Sequence, residues 1–139
     1  MVISLLLLVW LQAQAQPFLT LENHQNVLFT QDAYSVQLHL GSPPQHFTLL
    51  VDTLHSYLQV DAVQCADCES TSRFHSSQSA TYRTLKELRT RRWEGELGQD
   101  LAAFGKKGTL KVQSQAFFLN KRHSEMHNRG ADGVFVSSR

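Results

Sequence analysis

Cysteine is scarce in this 139-residue chain: Cys65 and Cys68 are the only two, and no second C-x-x-C accompanies them. A zinc site built from paired cysteines therefore has half its ligands at most, with His55 and His75 as the nearest histidines. Charge of either sign is also scarce in excess. Thirteen Lys and Arg balance twelve Asp and Glu, a formal net charge of +1, so nothing in the balance points to nucleic acid or to an acidic partner. Beyond Leu11 no stretch is apolar enough to cross a membrane, which takes about 20 apolar residues. Internal repeats and low-complexity tracts are absent. What remains is a hydrophobic content of 42%, enough for a core and far from the disordered class, on a length that suits one domain.

The first residues read as a secretory signal peptide. Val2 to Leu11 is apolar except for Ser4, and Ala13-Gln14-Ala15 offers a small-x-small cleavage site. Residues 1–15 are expected to be removed, 16–33 to form an N-terminal segment with room for an edge strand, and 34–139 to form the domain. Export makes Cys65 and Cys68 candidates for one short disulfide. A redox motif would want a βαβ setting, and a zinc site would want further ligands.

The stretch 34–60 organises the rest. Val36, Leu38 and Leu40 alternate with Ser35, Gln37 and His39, the period of a strand. Pro43 and Pro44 cannot donate to a sheet ladder, so the chain turns there. Phe47 to Val51 is nearly all apolar, reads as a buried strand and delivers Asp52 at its end. An acid in that position is expensive unless something pairs or uses it. A third strand is expected near 57–60, and a loop without periodicity over 64–80. Residues 81–92 have two readings: a helix or hairpin presenting a basic patch to an anionic partner, or the solvated face of a hairpin, which is the reading preferred here. Gly95, Gly98, Gly105 and Gly108 are expected to cut 93–109 into short strands and turns. Residues 110–119 read as a strand with Phe117 and Phe118 on opposite sides, 121–130 as a polar loop, and 132–136 as a last short apolar run. The histidines show no metal-ligand spacing. Short strands with Gly and Pro turns make the chain all-β, sandwich or barrel-like.

These residues, in order, resemble the N-terminal lobe of the pepsin-like aspartic proteases. Tyr34-x-Val36-x-Leu38-x-Leu40-Gly41-Ser42-Pro43-Pro44-Gln45-x-Phe47 is similar to Y-x-x-x-I-x-I-G-T-P-P-Q-x-F. Val51-Asp52-Thr53 followed by Leu58-x-Val60 resembles F-D-T-G-S-S-x-L-W-V. Phe74, Ser76 to Ser79, Thr81 and Tyr82 resemble F-x-P-S-x-S-S-T-Y. Gly95-x-Leu97-Gly98-Gln99-Asp100 resembles the segment after the family's flap, while Gln115-x-Phe117 and Asp132-Gly133-Val134 resemble its Q-x-F and D-G-I-L-G-L. Cys65 and Cys68 fall where the family often carries a small disulfide loop.

The resemblance implies one β-rich lobe of a two-lobed fold, a closed or partly open barrel or sandwich. It implies a polypeptide substrate or ligand, no cofactor and no metal, and no membrane once the signal is removed. Each lobe of the family gives one aspartate to a cleft, and the pair shares a proton and activates a water. Asp52 matches the first aspartate, and Asp132 matches a structural position. The active-site loop departs from the pattern: Thr53 is kept, but Leu54 and His55 stand for Gly and Ser ahead of Ser56. The segment before Gly95 is shorter than the family's and has no flap tyrosine, leaving Trp93 as the aromatic there. Val136 stands for a glycine. With one aspartate, this chain would need a second copy or a C-terminal lobe to complete a dyad. The expectation is a secreted endopeptidase-like lobe that is inactive as this chain. The competing readings are a peptide-binding pseudoprotease and a truncated gene product.

Overall fold

The computed structural model describes residues 22–24, 33–52, 58–91, 93–123 and 132–136. The expected signal peptide, most of the N-terminal segment and residues 53–57 lie outside the described residues. Eight strands run through the described part: β1 (Glu22–His24), β2 (Ala33–Leu40), β3 (Gln45–Asp52), β4 (Gln59–Asp61), β5 (Arg83–Arg89), β6 (Trp93–Phe104), β7 (Leu110–His123) and β8 (Gly133–Val136). The all-β expectation is met. Among the described residues, no helix is long and apolar enough to cross a membrane.

The sheet order is β1-β2-β3-β8-β4-β7-β6-β5, with a further pairing of β2 to β6. That pairing joins Leu38 to Phe104 and Leu40 to Ala102, so the ring β2-β3-β8-β4-β7-β6 closes on itself. Closure leaves β1 and β5 outside the ring. Two pairings are parallel, β3 with β8 and β4 with β7. Inside the ring lie Val36, Leu38, Leu40, Phe47, Leu49, Val60, Phe74, Phe117 and Leu119, all nearly or fully buried. The Phe74 ring stands edge-on to Phe117 at 5.5 Å and tilted to Phe47 at 6.2 Å, geometries that aromatic quadrupoles favour. Phe74 reaches this core from a loop by bridging Ala62, with its N–H donating to the Asp61 carbonyl at 2.8 Å.

The expected short strands and turns over 93–109 are corrected. Residues 93–104 form one twelve-residue strand, and only Gly105 and Gly108, both at positive φ, make the turn into β7. The inward positions of β6 from residue 96 are Glu96, Gly98, Asp100, Ala102 and Phe104. Its leucines, Leu97 and Leu101, sit at half-buried positions on the other face. An apolar-counting pattern cannot see a strand whose inner face carries two acids and a glycine. Gly98 is there for close approach, since a Cβ would come within 2.6 Å of the Tyr82 ring. The expected polar loop at 121–130 is corrected at its start, because β7 continues through His123. Residues 83–89 form β5, an arm of a hairpin with β6, with all but Leu88 exposed.

Candidate functional site at the ends of β3 and β8

Asp52 is the last residue of β3 and pairs through the backbone with Val136, the last residue of β8. The strand that carries it is central in the ring. Phe47, Leu49 and Leu50 are buried, so both faces of β3 are covered at Leu49 and Leu50. Parallel pairing brings the C-terminal ends of β3 and β8 side by side, and the segment 53–57 leaves from that point. Thr53, Leu54, His55 and Ser56 lie outside the described residues.

One buried acid fixes this juxtaposition. The Asp132 carboxylate accepts the Thr48 N–H at 2.9 Å on one oxygen. Its other oxygen accepts the Ser72 N–H at 3.0 Å and the Thr71 hydroxyl at 3.2 Å. The Asp132 N–H donates to the Thr48 carbonyl at 2.8 Å. Asp132 thus ties the start of β8 to the middle of β3 and to the loop beyond the cysteines. The next residue must be glycine: a Cβ on Gly133 would lie 2.1 Å from the Gln59 carbonyl oxygen, where β4 crosses. Gln59 stands in β4 beside β8, and its side-chain Oε1 is buried with no hydrogen-bond partner among the described residues.

Cys65 and Cys68 are joined by a disulfide with a Cα–Cα distance of 5.5 Å. Asp67 lies beside them, but sulfurs already bonded to each other are not thiolate ligands. The Arg73 guanidinium closes this loop from inside. It donates to the carbonyls of Cys65, Cys68 (2.6 Å) and Ser70 (3.3 Å).

A second hydrogen-bond chain crosses from the hairpin to this loop. The Trp93 indole N–H donates to Asn120 Oδ1 at 2.6 Å, and Asn120 Nδ2 donates to Asp61 at 3.0 Å. The Ser70 hydroxyl donates to the other Asp61 oxygen at 2.5 Å. Trp93, left by the sequence as the one aromatic of the flap segment, therefore has its polar edge committed, with its ring edge-on to Phe118 at 5.6 Å. At the base of the same hairpin, Glu96 accepts from Tyr82, from Lys121 at 2.8 Å and from Thr84 at 3.4 Å. Burial pushes the Glu96 carboxyl up, but the donors, Lys121 foremost, outweigh it and hold it below the ordinary glutamate range. Burial, reinforced by the bond to Glu96, pushes the Tyr82 phenol well above its ordinary range. Asp100, also inward on β6, accepts the Ser79 and Thr81 hydroxyls, each at 2.6 Å.

These networks were not predicted from the sequence. The acids were visible in it, but their donors lie 9 to 84 positions away. The one signal was the resemblance of Asp132-Gly133 to a structural motif.

Comparison with known proteins agrees with this geometry. The model of the family described as eukaryotic aspartyl protease matches residues 33–136, from the first residue of β2 to the last of β8. Gastricsin of Homo sapiens is 40% identical over 63 residues, which are 44% of this chain and 16% of that protein. Gastricsin of Macaca fuscata fuscata is 39% identical over 64 residues, 45% of this chain and 17% of the relative. Cathepsin E of Cavia porcellus is 44% identical over 54 residues, 37% and 14% of the two lengths. The matched part thus spans between 14% and 17% of these relatives. With the family's pattern running from β2 through β8, the chain belongs to the eukaryotic aspartyl protease family.

Proposed function

We propose that this chain is the first lobe of a secreted pepsin-like aspartic endopeptidase, with Asp52 as its contribution to a carboxylate dyad, and that the chain alone does not cleave peptides. The observation that carries the reading is the position of Asp52, at the end of a buried strand paired in parallel with β8. In such a dyad two nearby carboxylates share one proton. One takes a proton from water as it attacks the peptide carbonyl, and the acid form then gives a proton to the leaving nitrogen. This lobe supplies one carboxylate in an Asp-Thr frame, and the partner acid comes from a second lobe or a second copy. Leu54 in place of glycine would crowd that partner, and His55 in place of serine removes the small hydroxyl beside the acid. The signal-like segment and the cysteine pair support export.

The test is cleavage of a denatured protein at acid pH by the purified chain, with pepstatin and Asp52→Asn as controls. The expected result is no cleavage. Pepstatin-sensitive cleavage by the unmodified chain, lost in Asp52→Asn, would overturn the claim of inactivity. Addition of a complementary lobe that restores cleavage only when Asp52 is present would support the assigned role.

A further inference from the structure

The β5 strand is built unlike the rest of the sheet. It pairs with β6 along Arg83 to Arg89, and among the described residues no strand pairs with its other edge. Both of its faces are open to solvent, with only Leu88 partly covered. A strand in that state carries a row of backbone N–H and C=O groups ready to pair with another extended chain. Its side chains are strongly biased. Arg83, Lys86 and Arg91 are exposed and make no ion pair or hydrogen bond among the described residues. Arg89 reaches Glu94 only at 3.9 Å, and Glu87 is the single acid on the strand. Arg83 and Lys86 stand opposite Gln99 and Leu97 on the outer face of β6, so they share a face across the irregularity at Leu85.

The charge selects the occupant. A second copy pairing antiparallel about Lys86 would set Lys86 against Lys86 and Arg83 against Arg89, like charges directly opposite. Basic side chains on an edge are a known guard against that self-association. An extended peptide with acids at alternate positions meets no such barrier, gaining both the ladder and the free cations. Two surface cavities flank the strand. One, of about 350 Å³, is bordered by Leu88, Arg89 and Lys121 together with Glu87 and Glu94, and the other, of about 290 Å³, by Tyr82, Arg83, Gln99 and Asp100. Both extend over β6 and β7 on the paired side of β5, so the backbone ladder and the cations, not these cavities, carry the recognition.

We infer that the free edge of β5 is a docking strand for an extended acidic peptide. No residue of β5 belongs to the paired ends of β3 and β8, and the inference does not depend on whether Asp52 ever acts. The basic-patch reading of 81–92 is thereby given a specific partner, with Arg83, Lys86 and Arg89 on the strand itself.

The experiment uses the full chain with a fluorescent Glu-Val-Glu-Val-Glu-Val-Glu peptide and its Lys-Val counterpart. Anisotropy reads binding, and hydrogen exchange reads the amides of residues 83–89. The expected result is binding of the acidic peptide alone, with new protection on β5. Binding should weaken at least about tenfold on raising salt from about 50 to about 300 mM. Arg83→Glu with Lys86→Glu should weaken it by at least the same factor. Lys86→Gln, a milder change at an exposed position, should weaken it less but measurably if the double variant does not fold. Equal binding of the lysine peptide, binding that leaves β5 exchange unchanged, or β5 amides already protected on both edges in the free chain would each overturn the inference. So would failure of the acidic peptide to bind at the lower salt.

Discussion

Replacing Asp132 by alanine tests whether one acid holds the frame on which Asp52 sits. The carboxylate serves two backbone N–H groups, on Thr48 and Ser72, and one hydroxyl, on Thr71. Asp132 is 7% exposed, so water has little access to the donors it would abandon. A buried donor left without a partner costs roughly 1–3 kcal/mol, and two of them about 2–6 kcal/mol. The Thr71 hydroxyl is on an exposed residue and loses almost nothing. Against a total stability of about 5–15 kcal/mol, that is a large fraction. Denaturant unfolding followed by Trp93 fluorescence should show a lower midpoint at unchanged slope. Thermal melts should fall by at least about 7 °C. Asp132→Asn should recover no more than half of the loss, because its one carbonyl oxygen can serve only one side of the site while its amide faces a donor on the other. Thr71→Ala should cost less than about 1 kcal/mol. If Asp132→Ala unfolds within about 1 kcal/mol of the unmodified chain, the acid does not hold β3 and β8 together. The parallel pairing would then need another cause.

Gly98→Ala would bring a methyl group within 2.6 Å of the Tyr82 ring, so Tyr82 must leave Glu96, and a loss of about 1–3 kcal/mol is expected in denaturant unfolding. The depressed Glu96 carboxyl contributes stability that is present above the unfolded glutamate value near pH ~4.3 and is lost as pH falls through its lower folded value. Glu96→Gln should therefore flatten the acid limb of a stability-versus-pH curve below about pH 4.3, and an unchanged limb would contradict the assignment. The raised Tyr82 phenol works at the other end: the folded state keeps the proton, so stability falls once pH passes about 10, and Tyr82→Phe should remove that part of the alkaline loss. Arg73→Ala strips three carbonyls of their donor, and limited proteolysis should then cut within residues 65–73 faster while the disulfide stays intact.

Much of the frame was legible in the chain itself. Alternation in 34–40 and the apolar run to Val51 defined β2 and β3, because each buries a face in the period that strands require. The place of Asp52 at the end of β3 followed from that reading alone. The cysteine pair was equally legible, since two cysteines three apart leave few partners. The solvated hairpin was the preferred of two readings for 81–92, and exposure on both faces of β5 explains why the three-residue spacing of Leu85 and Leu88 marked no buried helix face. What pattern could not show was any strand whose inner face is polar. Glu96, Gly98 and Asp100 belong inside only because Lys121, Tyr82, Ser79 and Thr81 arrive there from other elements. Which ends meet was also beyond the sequence. The parallel pairing of β3 with β8, and so the neighbour of Asp52, depends on Asp132 finding Thr48 across 84 positions and on Gly133 letting β4 pass. Local periodicity records which face a strand buries, whereas pairing and buried-charge compensation are properties of contacts between segments, and only the folded chain brings those segments together.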